Sequence, residues 1–235
     1  MINERTRERM SIRKWAVLNT LLLVGLLACG SNENAIAPSD AVTLLADASN
    51  KVAAGKFSYH SRSMFIVDTG DGEQEQIYST ADSYIDPDKG WFSDGETNDL
   101  VSEPQRISIV RIGHRAYHFV ETRSCYVDNP AISYNPFSFF TLEELRARQD
   151  YISGERIIAD GKNTERITLE LPKETMTMTI QDGLLVEQTA YSDEFHYGGA
   201  VGDSFEGKII ANKITARIYD IGVEKELPTP EPICR

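Results

Sequence analysis

Apolar positions near the start of the chain recur at the spacing of one helical face, since residues three or four apart are neighbours on a helix. Ser39 and Asp40 are both typical N-caps in front of this segment, and Gly55 directly after it is a typical stop. The pattern therefore predicts a helix from Ser39 or Asp40 to about Ala54. Its apolar face consists of Val42, Leu45, Ala48 or Ser49, and Val52.

From residue 57 onward the pattern changes to short β-rich segments separated by turn residues. The strongest hairpin signal is Asp182-Gly183, which lies between an alternating segment and a second apolar one. Alternation of apolar and polar positions, clear between Ile214 and Tyr219, indicates strands with one face in water. The predicted strands are 57–67, 74–85, 91–92, 107–112, 116–120, 151–159, 165–171, 176–180, 184–191 and 205–219.

Two segments in the middle of the chain interrupt this pattern. Thr141-Leu-Glu-Glu144 is a capping box, in which Thr141 caps and Glu144 reaches back, and it predicts a short helix over 142–149. The preceding segment, 129–140, contains two prolines and four aromatic residues and has no clean period. It is therefore expected to be irregular and apolar.

A helix followed by about nine or ten sequential antiparallel strands, with one helix inserted midway, predicts an α+β, mostly β fold. A flat sheet of this size would leave an apolar face exposed to water. We therefore expect a strongly curved antiparallel sheet that wraps around the two helices.

The first 28 residues have the composition of a secretory signal. Basic residues precede an apolar run over 15–27 that is too short to cross a bilayer stably. Leu26-Leu27-Ala28-Cys29 resembles the cleavage site of bacterial lipoproteins, where the cysteine receives a diacylglyceryl group. The alternatives are an ordinary signal peptide with a chance cysteine and an uncleaved anchor. We expect translation from Met1 or Met10, cleavage before Cys29, and lipidation of Cys29.

The segment after Cys29 is expected to be a flexible tether, because residues 29–38 are small, polar and without periodicity. Residues 39–235 then form a single domain. A modified lipoprotein cysteine carries two or three acyl chains, which makes attachment effectively permanent. The folded part is thus expected in the bacterial envelope, on the outer face of the cytoplasmic membrane or the periplasmic side of the outer membrane.

The chain without its signal segment is strongly acidic. Removing residues 1–28 takes five basic and two acidic residues from totals of 24 and 36, which leaves a formal net charge of −15. A nucleic-acid partner would require a basic face, so this class is excluded. The same charge disfavours electrostatic docking on anionic lipid, so the acyl anchor has to provide membrane attachment.

Two cysteines remain after Cys29 is assigned to lipid. Cys125 and Cys234 favour a disulfide in an exported protein, which would tie the carboxyl terminus to the middle of the chain. The alternative is a pair of free thiols in a poorly oxidising envelope.

The sequence signals for a catalytic or metal-binding site are weak. His114 and His118 have even spacing on one strand but lack an evident third ligand. The acidic loop around Asp193 and Asp203 lacks the ordered oxygen spacing of a calcium site. The chain has no nucleophile elbow, phosphate loop or Cys-x-x-Cys motif. We therefore expect neither an enzyme nor a bound metal or cofactor.

The order of these segments resembles that of the LolA/LolB-like and LppX/LprG-like bacterial lipoproteins. One departure is Ser124-Cys125-Tyr126, where the relatives often place a tryptophan. The matching features are the helix over 40–54 entering Lys56-Phe57-Ser58, the hairpin over 111–117, the helix over 142–149, the turns over 159–162 and 180–183, and Leu227-Pro-Thr-Pro.

The resemblance implies an unclosed half-barrel whose helices cover the concave side, and a function in binding rather than catalysis. Such half-barrels hold the acyl chains of a lipid or lipoprotein in an apolar cavity, as carrier or chaperone, and we expect a monomer. We assign the lip of this cavity to Tyr134, Phe137, Phe139 and Phe140. The alternative for these phenylalanines, which the sequence favours, is ordinary capping of the core. The alternative function is an envelope interaction or sensor module that binds a membrane protein and has no ligand cavity.

Overall fold

Alternating segments of the chain form the strands of one antiparallel sheet. The computed structural model describes residues 34–98, 104–132, 137, 139–159, 161–193 and 208–234. Within these residues the strands are β1 (Ala35–Ile36), β2 (Phe57–Asp68), β3 (Glu73–Asp86), β4 (Gly90–Thr97), β5 (Gln105–Ile112), β6 (Arg115–Val120), β7 (Cys125–Asp128), β8 (Ile152–Ala159), β9 (Lys162–Leu171), β10 (Glu174–Gln181), β11 (Leu184–Ser192) and β12 (Lys208–Tyr219).

The predicted hairpin at Asp182-Gly183 is confirmed. Asp182 and Gly183 have φ angles of 51° and 71°, and such positive values at both central residues are typical of the turn that matches strand twist. β10 and β11 pair in antiparallel register on either side of it. The sequence prediction missed the short strands β1 and β7 and placed β4 over only two residues.

The sequence analysis expected the strands to follow one another through the sheet in chain order, and the structure shows a different order. The observed order among the described strands is β1-β8-β9-β10-β11-β12-β2-β3-β4-β5-β6-β7. β12 pairs with β2 over Tyr219 to Lys208, so the last strand lies beside the first long one. β1 and β7 lie at opposite ends of this order, and the sheet is therefore unclosed.

Helix α1 (Pro38–Ala53) covers one face of this sheet. Its N-cap is Ala37 and not Ser39 or Asp40, because Pro38 occupies the first turn, where its fixed φ suits a helix and its missing N–H costs nothing. The buried residues agree with the predicted apolar face, and they are Ala41, Val42, Leu45, Ala46, Ala48, Ser49 and Val52.

The second helix, α2 (Leu142–Ala147), begins at the predicted capping box. The Thr141 backbone N–H donates to Glu144 Oε2 at 2.8 Å, and the Glu144 backbone N–H donates to Thr141 Oγ1 at 3.2 Å. The helix ends at Ala147, two residues before the predicted end, and the chain continues as a 3-10 turn over Gln149–Tyr151.

Replacing Thr141 by alanine is expected to lower the free energy of unfolding by about 1 kcal/mol, since an orphan N–H at the helix start loses its acceptor. Thr141→Ser keeps the acceptor and is the matched control; urea denaturation measures both. Hydrogen bonds from Thr141 hold the pKa of Glu144 below its ordinary value. The stability linked to this carboxylate is therefore present above that ordinary pKa and lost as pH falls through the lowered one. Equal stability of the alanine and serine variants at neutral pH would contradict the prediction.

The sheet is strongly curved, as predicted. One core cluster contains Ile152 of β8 and, packed against it, Ile109 of β5. In a flat sheet these strands would lie about 38 Å apart at 4.8 Å per strand, whereas a helix is only about 10–12 Å wide. The sheet has to wrap around α1 for both ends to reach the same core. Ile36–Arg235 form one compact unit.

The carboxyl-terminal segment covers the exposed edge of β7. The Tyr126 N–H donates to the Pro232 carbonyl at 2.8 Å, and the Cys234 N–H donates to the Tyr126 carbonyl at 2.8 Å. A disulfide joins Cys125 to Cys234, with their Cα atoms 5.2 Å apart. Because unpaired strand edges invite association, this segment protects one end of the sheet.

Ion pairs hold the beginning of the same segment. Glu224 Oε1 lies 2.6 Å from Lys89 Nζ and 3.2 Å from Lys56 Nζ. The hydrogen bonds from Lys89 and Lys56 hold the pKa of Glu224 below its ordinary value. The Lys225 backbone N–H donates to the Tyr84 hydroxyl at 3.0 Å, which fixes the segment over a buried tyrosine.

Candidate ligand-binding face

The concave face of the sheet carries large apolar side chains beneath helix α1. Met176 and Met178 of β10 lie in the core that α1 covers, and Met side chains adapt to irregular spaces. Gly154 of β8 leaves room for close contact with this helix, because a Cβ there would lie 3.2 Å from the Ala41 Cβ. The other large members of this floor are Phe57, Tyr59, Ile85, Trp91, Ile167, Leu169, Ile180, Leu185 and Ile218.

An aromatic cover completes this core. Phe137 is buried, and its ring centroid lies 5.7 Å from that of Phe57 and 5.1 Å from that of Tyr59. Phe139 is half-buried, with its ring 4.8 Å from Phe137 and 5.8 Å from Phe57. Because these contacts come from an irregular segment, side-chain packing is what holds the cover in place.

The structure brings together three of the four predicted lip residues. Phe140 is half-buried beneath the Arg148 guanidinium, whose central carbon lies 5.6 Å from the ring centroid. Phe137 and Phe139 pack on β2, whereas Tyr134 lies outside the described residues. Cys29 and residues 1–33 also lie outside them.

Along β2, β3 and β4 the side chains of the concave face change from large and apolar to small. Strand alternation places Ser61 and Ser63 on the same face as Phe57 and Tyr59. Register then extends this surface across the neighbouring strands into a small-residue region, whose members are half-buried. It consists of Ser61, Ser63, Ser79, Ala81, Gly95 and Thr97.

Two exposed isoleucines border the small-residue region. Ile214 of β12 pairs with Ser63 and is 42% exposed, and Ile107 of β5 pairs with Gly95 and is 40% exposed. Gly95 lies between them and has no room for a side chain, since a Cβ there would lie 2.0 Å from the Thr80 carbonyl oxygen. The result is a shallow surface of small side chains between two apolar walls.

Two of the four hydroxyl groups of this region, those of Ser61 and Thr97, have partners within the sheet. Ser61 Oγ donates to the Ala81 carbonyl at 3.4 Å, and Thr97 Oγ1 donates to the Tyr78 carbonyl at 3.4 Å. Near the core edge, Ser83 Oγ donates to Ser93 Oγ at 2.9 Å. Because the Ser61 and Thr97 hydroxyls are paired, an apolar group can cover these two without leaving an orphan donor.

The sequence analysis did not predict the small-residue region, since it assigned only the lip of the cavity. Its only sequence signal is the alternation of serine and alanine with larger residues along 59–65 and 77–83. That alternation has no meaning until the register places the three strands side by side.

The two candidate histidines lie in different surroundings, and His118 pairs with Ile109, which packs against the core, so that it lies on the concave face. His114 is exposed at the β5–β6 turn, and His118 is half-buried in β6. Among the residues described, no group of three or more His, Cys, Asp or Glu side chains is arranged to hold a metal ion. Within the same residues, no helix has the length and apolar content needed to span a bilayer. Of the acidic loop, Asp193 is described, whereas 194–207 lie outside the description.

No protein-family model matches the chain, and no curated protein matches it in sequence. Among solved structures, the chain is similar to the crystal structure of LprF from Mycobacterium bovis, with 14% sequence identity and a TM-score of 0.46. The similarity covers 81% of this chain and 96% of that one.

Proposed function

We propose that this protein is a lipid-anchored protein of the bacterial envelope that binds the acyl chain of a lipid or lipoprotein on the concave face of its sheet. The observation that carries the proposal is the small-residue region between the exposed Ile107 and Ile214, where a partly exposed surface of small side chains includes the paired hydroxyls of Ser61 and Thr97. Cys29 would anchor the protein, and residues 29–38 would tether it. The proposal is for binding by a monomer, without catalysis, cofactor or nucleic acid.

The energetics of an acyl chain fit such a surface. A chain of about 14 carbons left in water forgoes roughly 11 kcal/mol, at about 0.8 kcal/mol per CH₂. A surface of small side chains leaves volume that such a chain can fill, and Ile107 and Ile214 supply apolar contact on both sides. The predicted lip of Tyr134, Phe137, Phe139 and Phe140 would close over the chain at the end nearer the core.

Filling the small-residue region is expected to weaken acyl-chain binding about tenfold or more, since a bulky side chain takes the volume of several methylenes. Ser63→Phe makes this change on the concave face. Arg62→Phe adds the same ring to the neighbouring, exposed position on the opposite face and is the matched control. Titration with a dansyl-labelled undecanoic acid measures affinity, and thermal melting of both variants checks the fold.

Native mass spectrometry of the protein purified from the bacterial envelope, followed by organic extraction, identifies what it carries. A stoichiometric amphiphile supports the proposal and gives the ligand class. A ligand-free mass together with no uptake of the labelled acid overturns it, and favours the interaction module that has no cavity. Equal loss of affinity in Ser63→Phe and Arg62→Phe would place the binding surface elsewhere.

A further inference from the structure

The β8–β9 hairpin carries an apolar side chain that the fold leaves in water. Ile158 is 78% exposed, more than any other large apolar residue among those the structure describes. It belongs to the uninterrupted apolar sequence Ile157-Ile158-Ala159, just before the turn at Gly161. β8 is next to the end of the sheet order, with only the two-residue β1 beyond it. Edge strands are usually protected by charged residues, and this apolar tip is an exception.

The tip lies within reach of the proposed lipid anchor. Ile36 packs against β8, since a Cβ on Gly154 would lie 3.0 Å from the Ile36 Cβ. Ile158 is four residues further along the strand, at a distance of about 13 Å. The seven residues from Cys29 to Ile36 span at most about 25 Å when fully extended. A bilayer that holds Cys29 is therefore close enough to be touched by Ile158.

The charge of the hairpin permits this contact. The folded part of the chain is strongly acidic, and anionic headgroups would repel most of its surface. Within 155–166, in contrast, acidic and basic residues cancel. The acidic members are Glu155, Asp160 and Glu165, and the basic members are Arg156, Lys162 and Arg166.

We propose that the tip of the β8–β9 hairpin, centred on Ile158, docks into the interfacial layer of the bilayer that holds the lipidated Cys29. This inference rests on the anchor in the proposed function. Strand alternation places Ile158 on the same face as Gly154, which faces helix α1. Docking at this tip would therefore turn the rim of the concave side toward the membrane, where an acyl chain enters or leaves.

The test uses the processed, lipidated protein purified from bacterial membranes and reconstituted into vesicles of phosphatidylcholine and phosphatidylglycerol. Ile158→Trp places a fluorophore at the tip. Ile77→Trp is the matched control, because Ile77 is 42% exposed on β3 near the β2–β3 turn, which lies at the opposite end of the sheet from the β8–β9 turn. Trp91, which is buried, supplies the common background. Brominated phosphatidylcholine in the vesicles then quenches tryptophans that enter the bilayer.

Quenching of Trp at 158 is expected to exceed that at 77 about twofold, since interfacial elements bury their apolar side about 5–10 Å deep. Equal quenching at both positions, or none at either, overturns the docking. A concentration-dependent spectral shift of the Ile158→Trp protein without vesicles also overturns it, because a second copy of the chain would then cover the tip. NBD-labelled Ile158→Cys and Ile77→Cys serve for the same comparison if the tryptophan variants do not accumulate.

Flotation of the unsubstituted protein separates this proposal from the previous one. If the protein does not float with vesicles, the anchor is absent and the docking fails with it. Acyl-chain uptake is measured independently of vesicles, so its outcome decides the binding function alone. If the protein floats with vesicles and Trp at 158 is quenched more strongly than the control, the docking is supported, whatever affinity the titration with dansyl-labelled undecanoic acid gives.

Discussion

Removal of the Cys125–Cys234 disulfide is expected to lower the free energy of unfolding by about 4.7 kcal/mol. The bond joins residues separated by 109 positions in sequence. A closed loop of this length restricts the unfolded chain by about that amount in the chain-entropy model. For a domain of this size the melting temperature should fall by roughly 10–20 °C. The double variant Cys125→Ser/Cys234→Ser, followed by thermal melting, measures the effect.

The same variant tests what the bond does to the edge of β7. Without it, the carboxyl-terminal segment keeps two backbone hydrogen bonds to Tyr126 but loses its covalent link. Reduction of the unsubstituted protein should reproduce the lower melting temperature, and it should leave the double variant unchanged. Thiol labelling of the denatured, unreduced Cys29→Ser protein should find no free cysteine. Two labelled thiols, or a double variant as stable as the parent, would contradict the prediction.

Replacing Leu45 by alanine is expected to lower the free energy of unfolding by about 2–5 kcal/mol, since truncation of a buried leucine loses apolar burial and leaves a cavity. Leu45 is 1% exposed in the middle of the face that α1 presents to the sheet. The sheet wraps around this helix, so we expect the surrounding side chains to fill the cavity only in part. Urea denaturation measures the change.

Two controls bracket the effect at Leu45. Leu45→Met conserves volume and should cost less than about 1.5 kcal/mol. Asn50→Ala lies on the exposed side of the same helix and should stay within about 0.5 kcal/mol of the parent. A loss as large at Asn50 as at Leu45 would contradict burial as the cause, since alanine is the better helix former and propensity alone favours Asn50→Ala.

Local chemistry made several elements predictable. Asp182-Gly183 defined its hairpin because few residue pairs adopt positive φ at both turn positions. Thr141 and Glu144 marked the start of α2 because their side chains satisfy each other's backbone N–H groups. In contrast, Ser39 looked like a cap but lies inside the first turn, where Pro38 starts the helix. Two adjacent signals competed there, and the sequence alone did not rank them.

The pairing of β12 with β2 was not predictable from local signals. These strands are far apart in sequence, and their contact depends on how the whole sheet wraps around α1. The four residues of β7 were missed for a similar reason, because their partners include the carboxyl-terminal segment. The small-residue region was likewise not predictable. Ser63 and Ser79 become neighbours only through the register of β2 with β3, which shifts between Ser63 and Met64.

Local sequence patterns were enough to predict the apolar face of α1, most strand positions and the capping box. Residue chemistry alone led to the predictions of a lipidated Cys29 and of a bond between Cys125 and Cys234. Each of these depends on residues close in the chain or on the chemistry of one residue type. The strand order, the small-residue region and the exposure of Ile158 could be seen only in the tertiary structure. These depend on which strands become neighbours and which side chains the helices cover, and the free energy that decides this is shared by the whole core.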